Sequence, residues 1–416
     1  MELFDYQSEI VDKAVKHLQP DTDNKMFNLF LQMGLGKTVI ALEITKRLNC
    51  KQLLIVCPKS LIEMWVYNVN KLLSGFARME TPEDLTTCTW KSFCVVNYEY
   101  FRSKSKSEVF AKIQPDCCIF DEAHKIKNVN SLLHKCISAS ISATYTLNLT
   151  GTPITKDYMD LFGILTITGE QRFMCYTAAQ FRARYITNGG STRTQELMQR
   201  IEPYSVFGDI DEYVDMPEAH NIVIPVVLSM TQYAELDIIY KSNRLALARI
   251  MKAQQITSGI DIDQSTPKVK ACIQLINDIT ADNEKVVLFC KFDKEFDFFM
   301  DYYKNIAVGI NGKTKDRETP VFEFQNNPKI KLFIGNLQTA GVGITLTAAS
   351  KCIFYSQTYT WGDAEQSKAR IYRIGQKNNC IYYYLLGVDT VDEVIYKSNV
   401  YKTNLIEDFK QRYGGI

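Results

Sequence analysis

Short apolar runs alternate with amphipathic stretches over residues 1 to about 165, and the alternation returns from about residue 266 onward. Apolar runs of this length predict buried strands, and the stretches between them predict helices, which is typical of parallel α/β sheets. The expected strands are Phe27–Leu31, Gln52–Cys57, Phe93–Asn97, Asp116–Phe120, Thr144–Leu149, Val286–Cys290, Ile306–Ile310, Ile330–Gly335, Lys351–Tyr355 and Cys380–Leu386. The expected helices include Tyr6–Leu18, Thr38–Leu48, Ser60–Leu73, Asn130–Ile141 and Thr390–Phe409.

The middle of the chain, residues 166–265, loses this alternation. Gln171–Gln199 and Thr231–Ser258 have a regular apolar spacing that predicts helices, and the second of them is long. We therefore expect two α/β lobes, residues 1–165 and 266–416, with a mostly helical insert between them.

Length and composition agree with a globular protein of two or three domains, since the chain has 416 residues, of which 46% are hydrophobic and 23% charged. The first residues carry no basic region followed by an apolar stretch, and apolar runs stay far below the roughly 20 residues of a membrane span. We expect the protein to stay in the compartment where it is made. The net charge of +1 predicts no overall attraction to a polyanion, although a local basic cleft stays compatible with it.

The 12 cysteines are scattered without a C-x-x-C pair, and there are only four histidines. This pattern disfavours a zinc site. It indicates that most of the cysteines are small buried apolar residues of a protein in a reducing compartment.

A glycine-rich segment, Gly34-Leu35-Gly36-Lys37-Thr38, follows a predicted strand and opens a predicted helix. Glycines let backbone N–H groups approach phosphate oxygens, and the helix N-terminus adds partial positive charge. Lys37 would reach the β and γ phosphates of a nucleoside triphosphate, and Thr38 would bind Mg²⁺. The strict pattern has glycine where this chain has Leu31, and the alternative is a glycine turn with an exposed lysine.

Two carboxylates stand where another predicted strand ends, at Asp121 and Glu122. With a phosphate-binding loop upstream, Asp121 is expected to hold the magnesium and Glu122 to orient and deprotonate the attacking water. Without that loop, a solvated acidic turn would be the simpler interpretation. Thr150 and Thr152 follow a further strand, and their hydroxyls could link the hydrolytic site to the rest of the cleft.

Two arginines far down the chain, Arg370 and Arg373, lie three residues apart on a predicted helix, and hence on one face of it. Guanidinium groups suit the charge of a transferring phosphoryl group, although such a pair is more often a solvated helix face. A glycine-rich segment with Gly341 and Gly343 follows a strand upstream, which is consistent with close backbone approach to a phosphate.

Read in order, these motifs resemble those of superfamily II helicases, and in particular the Swi/Snf-type DNA-translocating ATPases. The segments that carry the resemblance are Leu54–Leu61 with Trp65 after it, Asp121–Asn128, Leu149–Ile154 and Gln366–Gln376. The resemblance covers most of residues 1–165 and 266–395. It implies two RecA-like parallel-sheet lobes of a P-loop NTPase, with ATP and Mg²⁺ as cofactors and a nucleic acid, expected to be double-stranded DNA, lying across both lobes.

The resemblance also implies roles for individual residues. Gln7 would read the adenine base, while His124 and Gln376 would couple the nucleotide to lobe movement. Arg370 and Arg373 would reach the γ-phosphate only when the lobes close. The residues expected near the DNA backbone are Lys59, Ser60, Gly341, Gly343 and Thr345.

The chain departs from the family pattern where Leu31-Gln32 replaces an acidic pair and Trp361-Gly362-Asp363 replaces a usual Trp-Asn-Pro. The length leaves no room for a chromatin-reading domain, so we expect a compact bacterial or phage-type member in the cytoplasm. The leading hypothesis is an ATP-dependent translocase on double-stranded DNA. The alternatives are a strand-separating DNA or RNA helicase and a nucleic-acid-binding scaffold with an inactive ATPase.

Overall fold

The computed structural model describes residues 3–19, 24–102, 114–154, 157–167, 177–187, 191–261, 265–337, 344–401 and 412–413. Two compact units divide the chain, Met1–Asp215 and Met216–Ile416. Each unit is built on one parallel sheet flanked by helices, as the alternation of apolar runs and amphipathic stretches predicts. Within the described ranges, no helix has the length and apolar character needed to cross a membrane.

The N-terminal sheet has seven strands in the order β3-β4-β2-β5-β6-β1-β7, and every neighbouring pair is parallel. Its strands are β1 Met26–Leu31, β2 Gln52–Cys57, β3 Ala77–Met79, β4 Ser92–Asn97, β5 Cys117–Asp121, β6 Tyr145–Leu149 and β7 Ser205–Gly208. The helices of this unit are α1 Asp5–His17, α2 Lys37–Arg47, α3 Ile62–Leu72, α4 Pro82–Thr87, α5 Leu132–Ser140, α6 Met159–Leu165, α7 Ala178–Arg182, α8 Ser191–Ile201 and α9 Ile210–Tyr213. Because all strands run the same way, their carboxyl ends meet at one edge, where the loops of such sheets bind ligands.

The C-terminal sheet has six parallel strands in the order β10-β11-β9-β12-β13-β8. Its strands are β8 Ala219–Val226, β9 Val286–Cys290, β10 Ala307–Ile310, β11 Leu332–Asn336, β12 Lys351–Phe354 and β13 Cys380–Gly387. Its helices are α10 Met230–Tyr240, α11 Ala246–Ser258, α12 Pro267–Ala281, α13 Asp293–Tyr302, α14 Glu318–Asn326, α15 Trp361–Lys368 and α16 Val391–Tyr401.

The C-terminal sheet is covered on both faces, which explains why its central strands are uninterrupted apolar runs. In β9, Val286, Leu288 and Cys290 belong to one buried cluster, and Val287 and Phe289 belong to another. Successive side chains of a strand point to opposite faces, so two clusters require two packed layers. Burial also agrees with the prediction for the cysteines. Ten of the eleven free cysteines in the described part of the chain are buried, as expected for small apolar residues.

The expected strands of both lobes are confirmed, with ends that differ by at most two residues. The middle of the chain contains more than the prediction gave. The described residues of 166–265 are mainly helical, but they also supply β7 to the N-terminal sheet and β8 to the C-terminal sheet. The periodicity missed both strands, since β7 has only four residues and β8 is an edge strand whose side chains are mostly exposed.

The prediction of one long helix over Thr231–Ser258 is wrong, because the chain forms two helices there, α10 and α11. The last carbonyls of α10 are capped by side chains instead of by a continuing helix. Ser242 Oγ donates to the carbonyl of Ile239 at 2.7 Å, and Arg249 Nη1 donates to the carbonyl of Tyr240 at 2.9 Å. Of the helix expected over Gln171–Gln199, the described residues show α7, the π-helical turn Ala183–Thr187 and most of α8, and residues 171–176 and 188–190 lie outside the described residues.

Candidate functional site

The glycine segment forms the expected turn between β1, which ends at Leu31, and α2, which begins at Lys37. Gly34 and Gly36 have φ angles of 96° and 76°, a left-handed conformation that glycine adopts without steric cost. A Cβ at Gly36 would lie 2.5 Å from Nε2 of Gln7, so any other residue would have to displace that side chain as well as adopt the left-handed conformation. The turn therefore brings bare backbone to the N-terminus of a helix, which is the arrangement that binds phosphate.

Lys37 lies at the first position of α2, with Thr38 next to it and partly buried. Its ammonium group folds back over the turn and donates to the carbonyls of Leu31 at 2.7 Å and Gln32 at 3.2 Å. Both acceptors are neutral carbonyls. An anionic phosphate oxygen can take their place as the acceptor of the ammonium group and forms a stronger bond with it. The turn, the helix N-terminus and the lysine together fit a triphosphate.

Gln7 lies against the glycine turn, at the start of α1, and is 5% exposed. Its Nε2 donates to the carbonyl of Leu35 at 3.3 Å, and the hydroxyl of Tyr6 donates to the same carbonyl at 3.1 Å. These contacts place Gln7 beside the phosphate-binding turn. Its reading of an adenine base stays a prediction.

Asp121 ends β5 and is almost fully buried. Its Oδ2 accepts the indole N–H of Trp65 at 2.8 Å, its Oδ1 accepts the backbone N–H of Glu122 at 3.0 Å, and its main-chain carbonyl accepts the hydroxyl of Tyr98 at 2.6 Å. Burial, and then the adjacent Glu122 carboxylate, raise the pKa of Asp121 to about 6, while the Trp65 hydrogen bond and the charge of Lys37 lower it. The carboxylate and the phosphate-binding turn after β1 both lie at the carboxyl edge of the sheet.

Glu122 adopts a left-handed conformation with a φ of 53°, which costs a residue with a side chain on the order of 1 kcal/mol. This turn places its carboxylate 3.3 Å from Nδ1 of His124. The same His124 nitrogen lies 3.2 Å from Oγ1 of Thr150, and that hydroxyl accepts the backbone N–H of Thr152 at 3.1 Å. A continuous set of polar contacts therefore joins the predicted site at the end of β5 to the threonines that follow β6.

The loop that carries Thr150 and Thr152 also lies against the phosphate-binding turn. A Cβ at Gly151 would lie 3.3 Å from the carbonyl of Leu31, so the two loops are in close contact. The oxygen donors that the site offers, the Thr38 hydroxyl and the Asp121 carboxylate, are of the kind that Mg²⁺ prefers. Each Asp121 oxygen accepts one hydrogen bond and keeps a lone pair, so the carboxylate can still bind a cation.

Lys59 and Ser60 lie on a short 3₁₀ turn, Lys59–Leu61, that directly follows β2. Both residues are exposed, and the turn stands at the same edge of the sheet as Lys37 and Asp121. They are accessible to a polymer, and their contact with DNA stays a prediction.

The predicted arginine helix is wrong in its extent, because α15 ends at Lys368 and both arginines lie in the turns that follow. Side chains bind carbonyls of the last turn of this helix. Arg370 Nε donates to the carbonyl of Gln366 at 2.9 Å, and the hydroxyl of Tyr382 donates to that of Lys368 at 3.2 Å.

The two arginines differ in their surroundings. Arg370 is 6% exposed, and its Nη1 also donates to the carbonyl of Ile344 at 3.2 Å. Arg373 is partly exposed and donates from Nη1 to the hydroxyl of Thr345 at 3.0 Å, while burial lowers its pKa. The predicted DNA-contacting Thr345 is thus in contact with a predicted catalytic arginine. Contact of either arginine with a γ-phosphate stays a prediction.

Gln376 is buried, and its side chain joins three stretches of main chain. Its Nε2 donates to the carbonyls of Ala349 at 2.8 Å and Ile371 at 3.2 Å, and its Oε1 accepts the backbone N–H of Asn378 at 3.0 Å. These bonds assign it a clear structural role, and its coupling role stays a prediction. The two other predicted contacts in this unit, Gly341 and Gly343, lie outside the described residues.

Sequence reasoning missed two side chains of the N-terminal site. Trp65 follows the segment Leu54–Leu61 and was given no role of its own, yet it is fully buried and binds Asp121. Tyr98 binds the Asp121 carbonyl and comes directly after β4. Its position directly after a strand could have identified it as a site residue, because the carboxyl ends of parallel strands meet at one edge of the sheet.

A comparison with protein families decides where the chain belongs. The model described as SNF2-related domain matches residues 6–266, well over half of the 416 residues. The chain belongs to the SNF2-related domain family. A second model, described as helicase conserved C-terminal domain, matches residues 267–375. The family boundary near residue 266 therefore lies within the C-terminal structural unit, which begins at Met216.

Curated relatives of this SNF2-related chain are distant. It is 24% identical to mouse chromodomain-helicase-DNA-binding protein 1-like, over 90% of this chain and 46% of that protein. It is 27% identical to a Caenorhabditis elegans homolog of SWI/SNF-related matrix-associated actin-dependent regulator of chromatin subfamily A-like protein 1, over 95% of this chain and 60% of that protein. The chain thus spans about half the length of the curated relatives it matches.

Among solved structures, the Sulfolobus solfataricus SWI2/SNF2 ATPase core in complex with dsDNA aligns with 98% of this chain and 92% of that chain. The sequence identity is 22% and the TM-score is 0.48.

Proposed function

We propose that this chain is an ATP-dependent translocase on double-stranded DNA that remodels DNA or protein–DNA complexes. One observation carries the proposal: Lys37 at its glycine turn, the buried Asp121 and the adjacent Glu122 lie at one edge of the N-terminal sheet, joined to a further loop through His124 and Thr150. Membership of the SNF2-related family supports ATP as the substrate, and relatives named as DNA-binding and chromatin-regulating proteins support DNA as the polymer.

In the proposed reaction, Lys37 and the backbone of the glycine turn bind the β and γ phosphates. Thr38 and Asp121 would hold Mg²⁺, which when bound neutralises the charge that develops on the phosphates. Glu122 orients the attacking water and accepts its proton. His124 keeps the Glu122 carboxylate in place and connects it to Thr150, so that a change at the phosphate is transmitted to the loop containing Thr152.

DNA contact is assigned to Lys59, Ser60 and Thr345, together with the glycines at 341 and 343. These are contacts that a lysine, a hydroxyl group and bare backbone make with phosphate oxygens, which carry no sequence information. The affinity for DNA is therefore expected to fall steeply with salt and to depend little on base sequence. We assign Arg370 and Arg373 to the γ-phosphate as predictions that follow from family resemblance.

The decisive experiment compares ATP turnover with duplex DNA, single-stranded DNA, RNA and no polymer. Strongest stimulation by duplex DNA, without strand displacement, supports the proposal. Strongest stimulation by a single strand, with strand displacement, would instead identify a strand-separating helicase. Absence of turnover with every polymer would identify a nucleic-acid-binding scaffold and overturn the proposal.

The Lys37→Ala variant is expected to abolish turnover, because it removes the ammonium charge assigned to the β and γ phosphates. The matched control is Lys46→Ala on the same helix, where the lysine is largely exposed and paired with Glu43 at 3.3 Å. Unchanged turnover in Lys37→Ala, or an equal loss in both variants, would remove Lys37 from its assigned role.

A further inference from the structure

Trp65 lies inside the N-terminal unit, although its sequence neighbours are expected to bind DNA. Its ring is fully buried, and its Nε1 donates to Oδ2 of Asp121 at 2.8 Å. A buried indole N–H requires a hydrogen-bond acceptor, and any nearby carbonyl or side-chain oxygen can serve. Here the indole N–H is directed at the carboxylate that we assign to magnesium.

The Asp121 carboxylate is held on both oxygens by donors from different elements. Trp65 of α3 binds Oδ2, and the backbone N–H of Glu122 binds Oδ1 at 3.0 Å. Two donors at the two oxygens fix the plane of the carboxylate, and each oxygen keeps a lone pair for a cation. Hydrogen bonds of this kind orient metal-binding carboxylates, and their loss typically costs about 10- to 100-fold in metal affinity or activity.

The donor also belongs to the element that carries the predicted DNA contacts. The 3₁₀ turn Lys59–Leu61 runs directly into α3, Ile62–Leu72, and Trp65 is on the second turn of this continuous stretch. Lys59 and Ser60 are exposed at its beginning, whereas Leu61 and Trp65 are buried beneath them. Five residues of helix span only about 7.5 Å, so a small displacement of the turn reaches the indole.

We propose that Trp65 is a positioning residue: it holds the Asp121 carboxylate in the orientation that binds magnesium and links that carboxylate to the turn Lys59–Leu61. A polymer on Lys59 and Ser60 then changes the metal site through one stiff element, within the N-terminal unit. This inference rests on the proposed function, because it assumes magnesium at Asp121 and DNA at Lys59.

The first test uses the Trp65→Phe variant, which removes the N–H donor and keeps an aromatic ring. The matched control is Tyr185→Phe, since Tyr185 is also buried in this unit, donates its hydroxyl to a carboxylate, Glu196, at 3.2 Å, and lies outside the proposed site. Both variants lose one buried donor to a carboxylate. Only Trp65→Phe should alter the metal site.

Two quantities are measured. The Mg²⁺ concentration that half-saturates binding of a fluorescent ATP analogue, without turnover, is expected to rise about 10-fold in Trp65→Phe and to stay within about twofold in Tyr185→Phe. The ratio of DNA-stimulated to basal ATP turnover is expected to fall in Trp65→Phe alone. Equal values of both quantities in the two variants would overturn the inference.

A second test keeps Trp65 in place, and so does not depend on the folding of the Trp65→Phe variant. The chain has three tryptophans, so replacement of Trp90 and Trp361 by phenylalanine leaves Trp65 as the single fluorophore. Duplex DNA, with binding followed by the anisotropy of a labelled strand, should shift the Trp65 emission in the absence of nucleotide. Lys59→Ala should reduce this shift, and bound DNA without any shift would overturn the inference.

The outcomes for the inference and for the proposed function are separable. If no polymer stimulates turnover in the unmodified chain, the proposed function fails. If duplex DNA stimulates the unmodified chain and Trp65→Phe behaves like Tyr185→Phe, the inference about Trp65 fails alone.

Discussion

The two units of this chain use buried polar side chains in different ways. In the N-terminal unit, the side chains around the two carboxylates contact one another, as Trp65 contacts Asp121 and His124 contacts Glu122 and Thr150. In the C-terminal unit, Arg370 and Gln376 bind main-chain carbonyls that surround them. The first arrangement leaves groups free to exchange partners during a reaction, whereas the second stabilises the turns that carry them.

This difference predicts separate consequences of substitution in the two units. Changes in the N-terminal site should lower turnover with little loss of stability. Changes to the buried polar residues of the C-terminal unit should lower the free energy of unfolding first. Four substitution experiments can contradict or refine this comparison.

Glu122→Gln is expected to have the largest effect, a loss of turnover of about 10²- to 10⁴-fold, because the amide cannot accept the proton of the attacking water. The melting temperature should stay nearly unchanged, because the side chain keeps its size. Single-turnover kinetics and a thermal melt measure the two quantities. The control is Glu43→Gln, a partly buried carboxylate on α2 that pairs with Arg47 at 3.2 Å and lies outside the proposed site. A turnover equal to that of the control would contradict the role of Glu122.

Lys268→Met tests the C-terminal unit, where Lys268 and Asp392 form an ion pair of 2.6 Å with side-chain exposures of 0% and 2%. Thr257 and the backbone N–H of Gly387 also donate to the Asp392 carboxylate. Removing the lysine leaves a buried charge without its partner, and the expected loss is about 3–5 kcal/mol of unfolding free energy.

Urea denaturation, with hydrogen exchange to locate the unfolding unit, measures this loss. The matched control is Lys241→Met, because Lys241 and Asp237 form an ion pair of the same length with exposures of 75% and 60%. An exposed pair contributes about 0–1 kcal/mol. Similar losses in the two variants would show that burial does not decide the effect.

The two arginines allow a comparison within one segment. Arg370→Ala removes the side-chain donor from the buried carbonyls of Gln366 and Ile344, and should cost about 1–3 kcal/mol of stability. Arg373→Ala removes a bond to the Thr345 hydroxyl, which can turn to another partner. It should retain stability and ATP binding but lose hydrolysis. If Arg373→Ala were the less stable variant, or hydrolysed ATP normally, this distinction would be wrong.

Lys291 predicts an effect that depends on pH. Its Nζ donates to Oε1 of Gln254 at 2.9 Å, and burial lowers its pKa to about 7, although the Glu295 carboxylate raises it. In the unfolded chain a lysine titrates near pH 10.4. Between about pH 7 and 10 the unfolded state therefore binds more protons, and stability should rise with pH, by at most about 1.4 kcal/mol per unit.

The Lys291→Met variant has no buried ammonium group to destabilise the folded state. It should therefore be more stable than the unmodified chain near pH 7, and the difference in stability should shrink as the pH rises. Urea denaturation of both proteins at pH 7 and pH 9 measures the difference. A difference that does not change with pH would show that the Lys291 ammonium is not the titrating group.

Much of the fold could be predicted from the sequence, because strands buried on both faces are uninterrupted apolar runs that end in glycine or polar residues. β2 and β9 were predicted with both ends correct. The edge strands β7 and β8 could not be found in this way. They are short or mostly exposed, and they exist because a neighbouring strand offers them hydrogen bonds.

The candidate site shows the same division. The sequence indicated the phosphate-binding turn, since Gly36 and Lys37 lie between a strand and a helix. It also indicated roles for the two carboxylates at the end of a strand, Asp121 for magnesium and Glu122 for the attacking water. The partners of these residues lie far along the chain, as Trp65 does from Asp121, and no spacing rule connects them.

The sequence by itself therefore determined which residues can perform the chemistry and the strand ends to which they belong, because local patterns fix glycine turns, apolar runs and the groups that follow them. Only the tertiary structure decided which donor each buried group received. Trp65 turned inward to a carboxylate and Arg370 to main-chain carbonyls because a buried polar atom must find a partner wherever the folded chain supplies one.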